Sequence, residues 1–204
     1  MATTTQQTST TTTPTRRPYR GSCHCGLTKY IVFITLPPVD PVPIPDSSKT
    51  VRIRKCNCST CHKMGLTHVR VPASHNDFLL LSPTTLFDGG LRDYKCFEAE
   101  IHWPYCGTCG VRCFAWSGEG ELKEMEVGGE KLKGWGKKSG EWNEDGSKGE
   151  GGYLSINAIT IEPGQEGFDM REWHEKGWIA YLEMQKHLDN IDPRMGTPYP
   201  GGMY

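Results

Sequence analysis

Cys56-Asn57-Cys58-Ser59-Thr60-Cys61 places three thiols within six consecutive residues. Thiols one or two residues apart can turn towards a single soft cation, with bonds of about 2.3 Å in the case of zinc. Two further clusters flank this one in the chain, Cys23-His24-Cys25 and Cys106-Gly107-Thr108-Cys109. Seven of the nine cysteines therefore lie in three tight groups. Seven sulfurs divide into four and three. Four complete a tetrahedral site, whereas three leave a position free, and a free position on zinc is where chemistry takes place.

Cys23/Cys25 and Cys106/Cys109 form the natural set of four. Each pair sits among glycines (Gly21, Gly26, Gly107, Gly110) that permit the tight turns needed to aim backbone amides at sulfur. A closed four-thiolate site has no vacancy, so its expected role is to fasten the start of the chain to its middle. Cys56, Cys58 and Cys61 are expected to hold a second metal by one face. His62 is adjacent, and Cys96 and Cys113 are unassigned, so a fourth protein ligand for the trio stays open at this point.

Other uses of the thiols fit less well. A Cys-x-Cys disulfide is strained, and the chain shows no secretory signal. The spacings lack the ferredoxin runs of iron–sulfur proteins. Cys106/Cys109 lacks the strand-to-helix setting of a redox Cys-x-x-Cys. Cys96 and Cys113 read as small buried hydrophobes, and His24 and His62 as ordinary neighbours of ligands.

The 204 residues suit one domain with tails. Hydrophobic residues make up only 36%, and 24 glycines and 14 prolines demand many loops, so metal cross-links would compensate for a thin core. A formal net charge of -1 points to neither nucleic acid nor an anionic membrane. The longest apolar run, Tyr30 to Ile34, is strand-sized. The threonine-rich start, with Arg16, Arg17 and Arg20, has too few apolar residues for an amphipathic presequence, although mitochondrial or nuclear location stays open. A reducing cytoplasm is the expected compartment, and it favours metal-bound thiolates over disulfides.

Residues 1–19 read as a disordered Thr-rich tail, 20–170 as the zinc domain, 119–152 as a Gly/Glu/Lys-rich surface insertion within it, and 171–204 as a C-terminal extension. Strands are expected at Lys29–Ile34, Thr50–Arg54, Thr67–Val71, Phe78–Leu81, Arg92–Phe97, Glu98–Trp103, Val111–Trp116 and Tyr153–Ile161. Arg171–Leu188 is the only plausible helix, weakened by Gly177, and residues from 192 onwards should be irregular. Many short strands with little helix argue for a mainly β fold.

Gly21-Ser22-Cys23-His24-Cys25-Gly26, Cys56 through Gly65, and Tyr105-Cys106-Gly107-Thr108-Cys109-Gly110 together resemble the glutathione-dependent formaldehyde-activating enzyme family, also called the centromere-protein-V-like family. The resemblance runs from about Arg20 to about Asp169. It implies an Mss4-like fold of coiled, mostly antiparallel sheets stabilised by zinc. It also implies two Zn2+ per chain, a structural one on Cys23, Cys25, Cys106 and Cys109 and a catalytic one on Cys56, Cys58 and Cys61. The activity it implies is that of a carbon–sulfur lyase acting on a thiol adduct, glutathione-like, of an aldehyde or other carbonyl compound. The long insertion, the Thr-rich head and the aromatic C-terminal extension depart from the simpler pattern. Two alternatives accompany this reading: a zinc lyase, isomerase or dehydratase of specialised metabolism using a non-thiol substrate, and a non-catalytic zinc module. His62, His68 and Asp93 are candidate proton-transfer residues. The expected partner is a small molecule, with neither nucleic acid nor membrane involved and an oligomer possible.

Overall fold

Side-chain alternation arranges this chain as two facing sheets. The structure, a computed structural model, describes residues 13–87, 89–96, 98–143, 145–185 and 192–200. In chain order its elements are β1 (Thr15–Ser22), β2 (Lys29–Leu36), β3 (Arg52–Cys56), α1 (Ser59–Met64), β4 (His68–Arg70), α2 (Ser74–Asp77), β5 (Phe78–Ser82), β6 (Leu91–Arg92), β7 (Tyr105–Cys106), β8 (Phe114–Trp116), β9 (Gly120–Val127), β10 (Glu130–Lys137), β11 (Leu154–Asn157), α3 (Met170–Glu175), β12 (Ile179–Glu183) and β13 (Asp192–Met195). Among the described residues, one sheet runs β1-β2-β5-β10-β9, a second runs β13-β12-β3-β4-β11-β8, and β6 pairs with β7. Pairing is antiparallel except where β12 lies parallel to β3. The fold is mainly β, as its composition and spacing predict. No helix among the described residues is long and apolar enough to cross a membrane.

Because side chains alternate across a strand, each strand contributes every second residue to the space between the sheets. Tyr30, Val32 and Ile34 of β2 meet Ile53 of β3, Val69 of β4 and Ile156 of β11 in one apolar core. The opposite face of the second sheet takes the residues in between. Arg52, Arg54 and Cys56 alternate with Ile53 and Lys55 on β3. In register, Arg52 stands opposite Arg70 and Arg54 opposite His68. On the other side of β3, Ala180 stands beside Arg54 and Leu182 beside Cys56. The polar face of this sheet thus holds both the arginines and the first cysteine of the trio.

Several expected boundaries move. Residues 15–19, assigned to a disordered tail, pair with β2 from Thr15 opposite Leu36 to Tyr19 opposite Val32, and Tyr19 is buried. Composition stops reading as low-complexity only after the backbone has begun to pair; residues 1–12 lie outside the described residues. The stretch read as a surface insertion begins with the β9–β10 hairpin, which docks on β5 through Trp135 opposite Leu80. The helix expected over Arg171–Leu188 ends at Glu175. Gly177 adopts a left-handed φ of 67°, and the apolar run after it becomes β12. Residues 186–188 of that span lie outside the described residues. Asp192–Met195, expected to be irregular, pairs with β12. The strand expected over Tyr153–Ile161 stops at Asn157 and turns through a 3-10 helix, Ala158–Thr160. Of the expected strands Arg92–Phe97 and Glu98–Trp103, only Leu91–Arg92 and isolated bridges at Lys95 and His102 appear; Phe97 lies outside the described residues.

Candidate metal centre

Cys23 and Cys25 lie in the turn that joins β1 to β2. Its geometry is set by Gly26 at φ 76°, whose N–H donates to Cys23 O at 3.0 Å. Cys106 ends β7 and Cys109 lies in the matching turn after it, where the N–H of Gly110, at φ 75°, donates to Cys106 O at 2.8 Å. In both turns a glycine supplies a left-handed conformation that would strain other residues. The turns bring Cys25 Sγ to 3.7 Å from Cys23 Sγ and 3.5 Å from Cys106 Sγ. All four sulfurs lie within 4.8 Å of one another. A tetrahedral cation with 2.3 Å bonds to sulfur separates its ligands by about 3.8 Å, so this set fits a metal ion with little adjustment. The Thr28 N–H donates to Cys23 Sγ at 3.2 Å, as expected for a thiolate held by backbone amides.

The trio is built differently. Cys56 ends β3, Cys58 caps α1 and Cys61 sits in its first turns, so strand and helix present their sulfurs to one point. The Cys61 N–H donates to Cys58 Sγ and the Cys58 N–H to Cys56 Sγ, each at 3.4 Å. Gly65 closes α1 in the left-handed region at φ 62°. The three sulfurs lie within 4.8 Å of one another, and among the described residues no fourth His, Cys, Asp or Glu donor joins them at that range. The three sulfurs hydrogen-bond to one another. Hydrogen bonds from Cys56 and Cys61 pull Cys58 down to about 2. Cys56 is pushed up to about 11, foremost by Cys58, and Cys61 well above the ordinary thiol range by Cys56 and Cys58. A divalent cation can take the place of those protons.

Asn57, between two of the ligands, anchors the loop to the end of β12. Its amide donates to Glu183 Oε1 at 2.8 Å, and its Oδ1 accepts from the Met184 N–H at 2.7 Å. The C-terminal residues, read from sequence as an extension, thus hold the trio's loop in place. Leu66, Trp103, Ala115 and Leu182 pack around Cys56 and Cys61 and shield them from water.

Of the candidate proton-transfer residues, only His68 touches a sulfur. Its Nε2 lies 3.1 Å from Cys61 Sγ and its Nδ1 2.8 Å from Ser155 Oγ. Burial, reinforced by Arg70 and Arg54 and opposed by Cys58, pushes this imidazole down to about 4. A neutral ring has one N–H. Donating it from Nε2 to sulfur leaves Nδ1 to accept from the Ser155 hydroxyl. His62 and Lys63 are exposed on α1. Asp93 accepts from His102 Nδ1 at 2.7 Å, on a partly exposed loop. Cys96 lies beside Thr60 Oγ1 at 3.7 Å, and Cys113 is buried in the main core.

Sequence reasoning missed Ser155, Asn57 and the arginines of β3 and β4. For the arginines a signal was present: in Arg52-Ile53-Arg54-Lys55-Cys56, period two puts both on the face of Cys56. Ser155 lies 87 residues from His68 and carries no such signal.

No family model matches this chain, and no curated protein does. Among solved structures, the crystal structure of a Rhodobacter sphaeroides protein, a structural-genomics target, aligns with 72% of this chain and 91% of its own. The identity is 15% and the TM-score 0.39.

Proposed function

We propose that this chain is a zinc enzyme of the carbon–sulfur lyase type, acting on the adduct of a glutathione-like thiol with an aldehyde or related carbonyl compound. The observation that supports this is the contrast between the two sulfur sets. Four close one site, whereas Cys56, Cys58 and Cys61 gather with no fourth donor within 4.8 Å of all three among the described residues, His68 Nε2 reaching Cys61 alone. Sulfur donors alone favour a soft cation such as zinc. The order and spacing of the three cysteine clusters, shared with the formaldehyde-activating family, support the same reading.

Zinc on the trio would supply acidity towards a substrate thiol at the remaining position, and three thiolate ligands favour that use over polarising a carbonyl. In the forward direction a sulfur–carbon bond forms, and the thiol proton ends on the carbonyl oxygen. In reverse both changes are undone, and no oxidant or reductant takes part. The protein contributes position. His68 and Ser155 fix the orientation of Cys61, Asn57 pins the ligand loop to β12, and Trp103 and Leu182 limit water. These apolar walls strengthen electrostatic interactions at the sulfurs.

The test is cobalt substitution. Adding glutathione to the cobalt protein should change its visible absorption in a saturable way, and formaldehyde with glutathione should yield the hydroxymethyl adduct faster than in buffer, followed by proton NMR. An absorption spectrum indifferent to thiol at every concentration would assign the trio to a closed, non-catalytic metal module.

A further inference from the structure

On the face of the second sheet that carries Cys56, three guanidinium groups meet one carboxylate. Glu141 Oε1 accepts from Arg70 Nη2, while Glu141 Oε2 lies 4.0 Å from Arg52 Nη2. Among the described residues, the Arg54 guanidinium makes no hydrogen bond or close ion pair, and only longer-range attraction to Tyr153 and Glu141 reaches it. The Nε atoms of Arg52, Arg54 and Arg70 are all buried without a hydrogen-bond partner. The Arg52 side chain is only 8% exposed and that of Arg70 13%. Lys137, 0% exposed, adds an ammonium behind them, satisfied by the carbonyls of Ser117 and Tyr153. The Tyr153 ring lies under Arg70, 4.2 Å from its Cζ.

Guanidinium groups do not shed their protons in proteins, so burying them demands counter-charge. Glu141 is the one carboxylate that ion-pairs with these three guanidiniums among the described residues, so their positive charge is not matched within the cluster. The strain registers on Arg52, which burial and the neighbouring Arg70 and Arg54 push down to about 10. The Nε–H of each guanidinium stays buried without a partner, a donor that a ligand can use.

The empty donors lie next to the trio. Arg54 stands opposite His68, which touches Cys61 Sγ, and Cys56 is two residues along the strand from Arg54. Two residues of strand span about 7 Å. A small molecule with its sulfur at the trio can therefore reach the arginines over several bonds. Planar forks with paired N–H groups match a carboxylate.

We infer that Arg52, Arg54 and Arg70 seat a carboxylate of the substrate, so that the trio serves anionic thiols, either mercapto acids or cysteine-containing peptides. This rests on the proposed use of the trio and names the specificity determinant that such use requires. Arg54, whose side chain lacks a hydrogen bond or close ion pair, is the residue that gains most from the ligand, and Glu141 holds the other two in place.

The experiment compares 3-mercaptopropionate with 2-mercaptoethanol, titrated into the cobalt-substituted protein and its Arg54→Gln variant. The acid should bind the parent at least about tenfold more tightly, the value of one charged hydrogen bond. In Arg54→Gln that preference should fall to within about twofold, with mercaptoethanol binding unchanged. Measurable and equal binding of the two thiols by the parent, or a preference that survives in Arg54→Gln, overturns the inference. A thiol-free arm separates it from the reading of the trio. Succinate should raise the melting temperature of the parent and not of Arg54→Gln, even if neither thiol perturbs the cobalt; that pattern would sink the lyase reading and keep the carboxylate seat. No stabilisation by succinate removes the seat. Stabilisation by inorganic phosphate equal to that by succinate overturns the assignment to a carboxylate. Arg54→Lys, which keeps the charge and loses the fork, should recover less than half of the preference, and full recovery would count against a paired seat.

Discussion

Cys61 has two roles in this fold. Its N–H caps Cys58 Sγ, and its own sulfur receives the buried imidazole of His68. Removing that ring takes one hydrogen-bond partner from Cys61 Sγ and one from Ser155 Oγ in a buried place, and leaves the sulfur free to turn. His68→Ala should therefore weaken metal retention by the trio about 10–100-fold, as outer partners of metal ligands do. Retention by the four-sulfur set should not change. Competition with a coloured chelator reads both sets at once, and parallel loss from the two, or none from either, would deny His68 this positioning role. At this scale the ligands were legible because short spacings force their sulfurs together. His68 was only one candidate among several, since nothing local ties it to Cys61. The contact exists because α1 ends at Gly65 and the chain returns along β4 beside β3. The Arg54 and Cys56 alternation could have been read, but its meaning depends on which face of the sheet is the core.

The β9–β10 hairpin shows why an element can be missed. Gly120–Val127 alternates, but charged residues occupy both faces, so its period-two signal carries little hydrophobic contrast. Its turn, Gly128-Gly129, has both residues at positive φ, the conformation that two-residue hairpins favour. Docking depends on a different glycine. A Cβ at Gly134 would stand 2.3 Å from the Leu80 carbonyl oxygen and 2.8 Å from Leu79 Cγ. Because the obstacle is backbone, no rotamer relieves it. Gly134→Ala should lower unfolding stability by about 1–3 kcal/mol or more, the usual cost of overpacking. Gly128→Ala meets nothing within 4 Å and should lose only about 1 kcal/mol, for its left-handed backbone. Urea titrations of the two variants test the order. A larger loss at Gly128 would mean that the turn, not the docking on β5, holds the hairpin. Similar reasoning covers the C-terminal half. The apolar run after Gly177 reads as one face of a helix until β3 is seen to need a parallel neighbour.

Beyond the shared apolar core, sulfur ties the first sheet to the β6–β7 pair and a buried ammonium ties it to the second sheet, and each makes a prediction about the whole molecule. The four-sulfur set ties the β1–β2 turn to the turn after β7, 81 residues apart between Cys25 and Cys106. Metal binding in such sites contributes folding free energy directly, about 10–16 kcal/mol in small zinc modules. Cys109→Ser should therefore yield an unfolded or aggregated protein. Cys58→Ser should fold and carry about one metal where the parent carries about two, by ligand count. Atomic emission on purified protein decides between them, and a folded Cys109→Ser protein with its metal content unchanged would break the grouping. Lys137, at the end of β10, donates to Ser117 O and Tyr153 O and lies over the Trp116 ring, 4.7 Å from its centroid. It thereby pins the first sheet to the second, without a close carboxylate among the described residues. Burial pushes it down from 10.5 to about 8. The sign follows from proton counting. Below pH 8 both folded and unfolded chains hold the proton, and the cost of burying the charge is present in full. Between about pH 8 and 10.5 the unfolded chain keeps its proton while the folded one releases it, so stability rises with pH. The rise amounts to at most about 3 kcal/mol at 1.36 kcal/mol per pKa unit. Denaturant titrations of the parent and Lys137→Met across that window should diverge in the parent's favour as pH increases, whatever the variant costs at neutral pH. If the two curves stay parallel from pH 7.5 to 10.5, the ammonium is not buried as its contacts imply, and the sheets are held at that corner by Trp116 and its apolar neighbours alone.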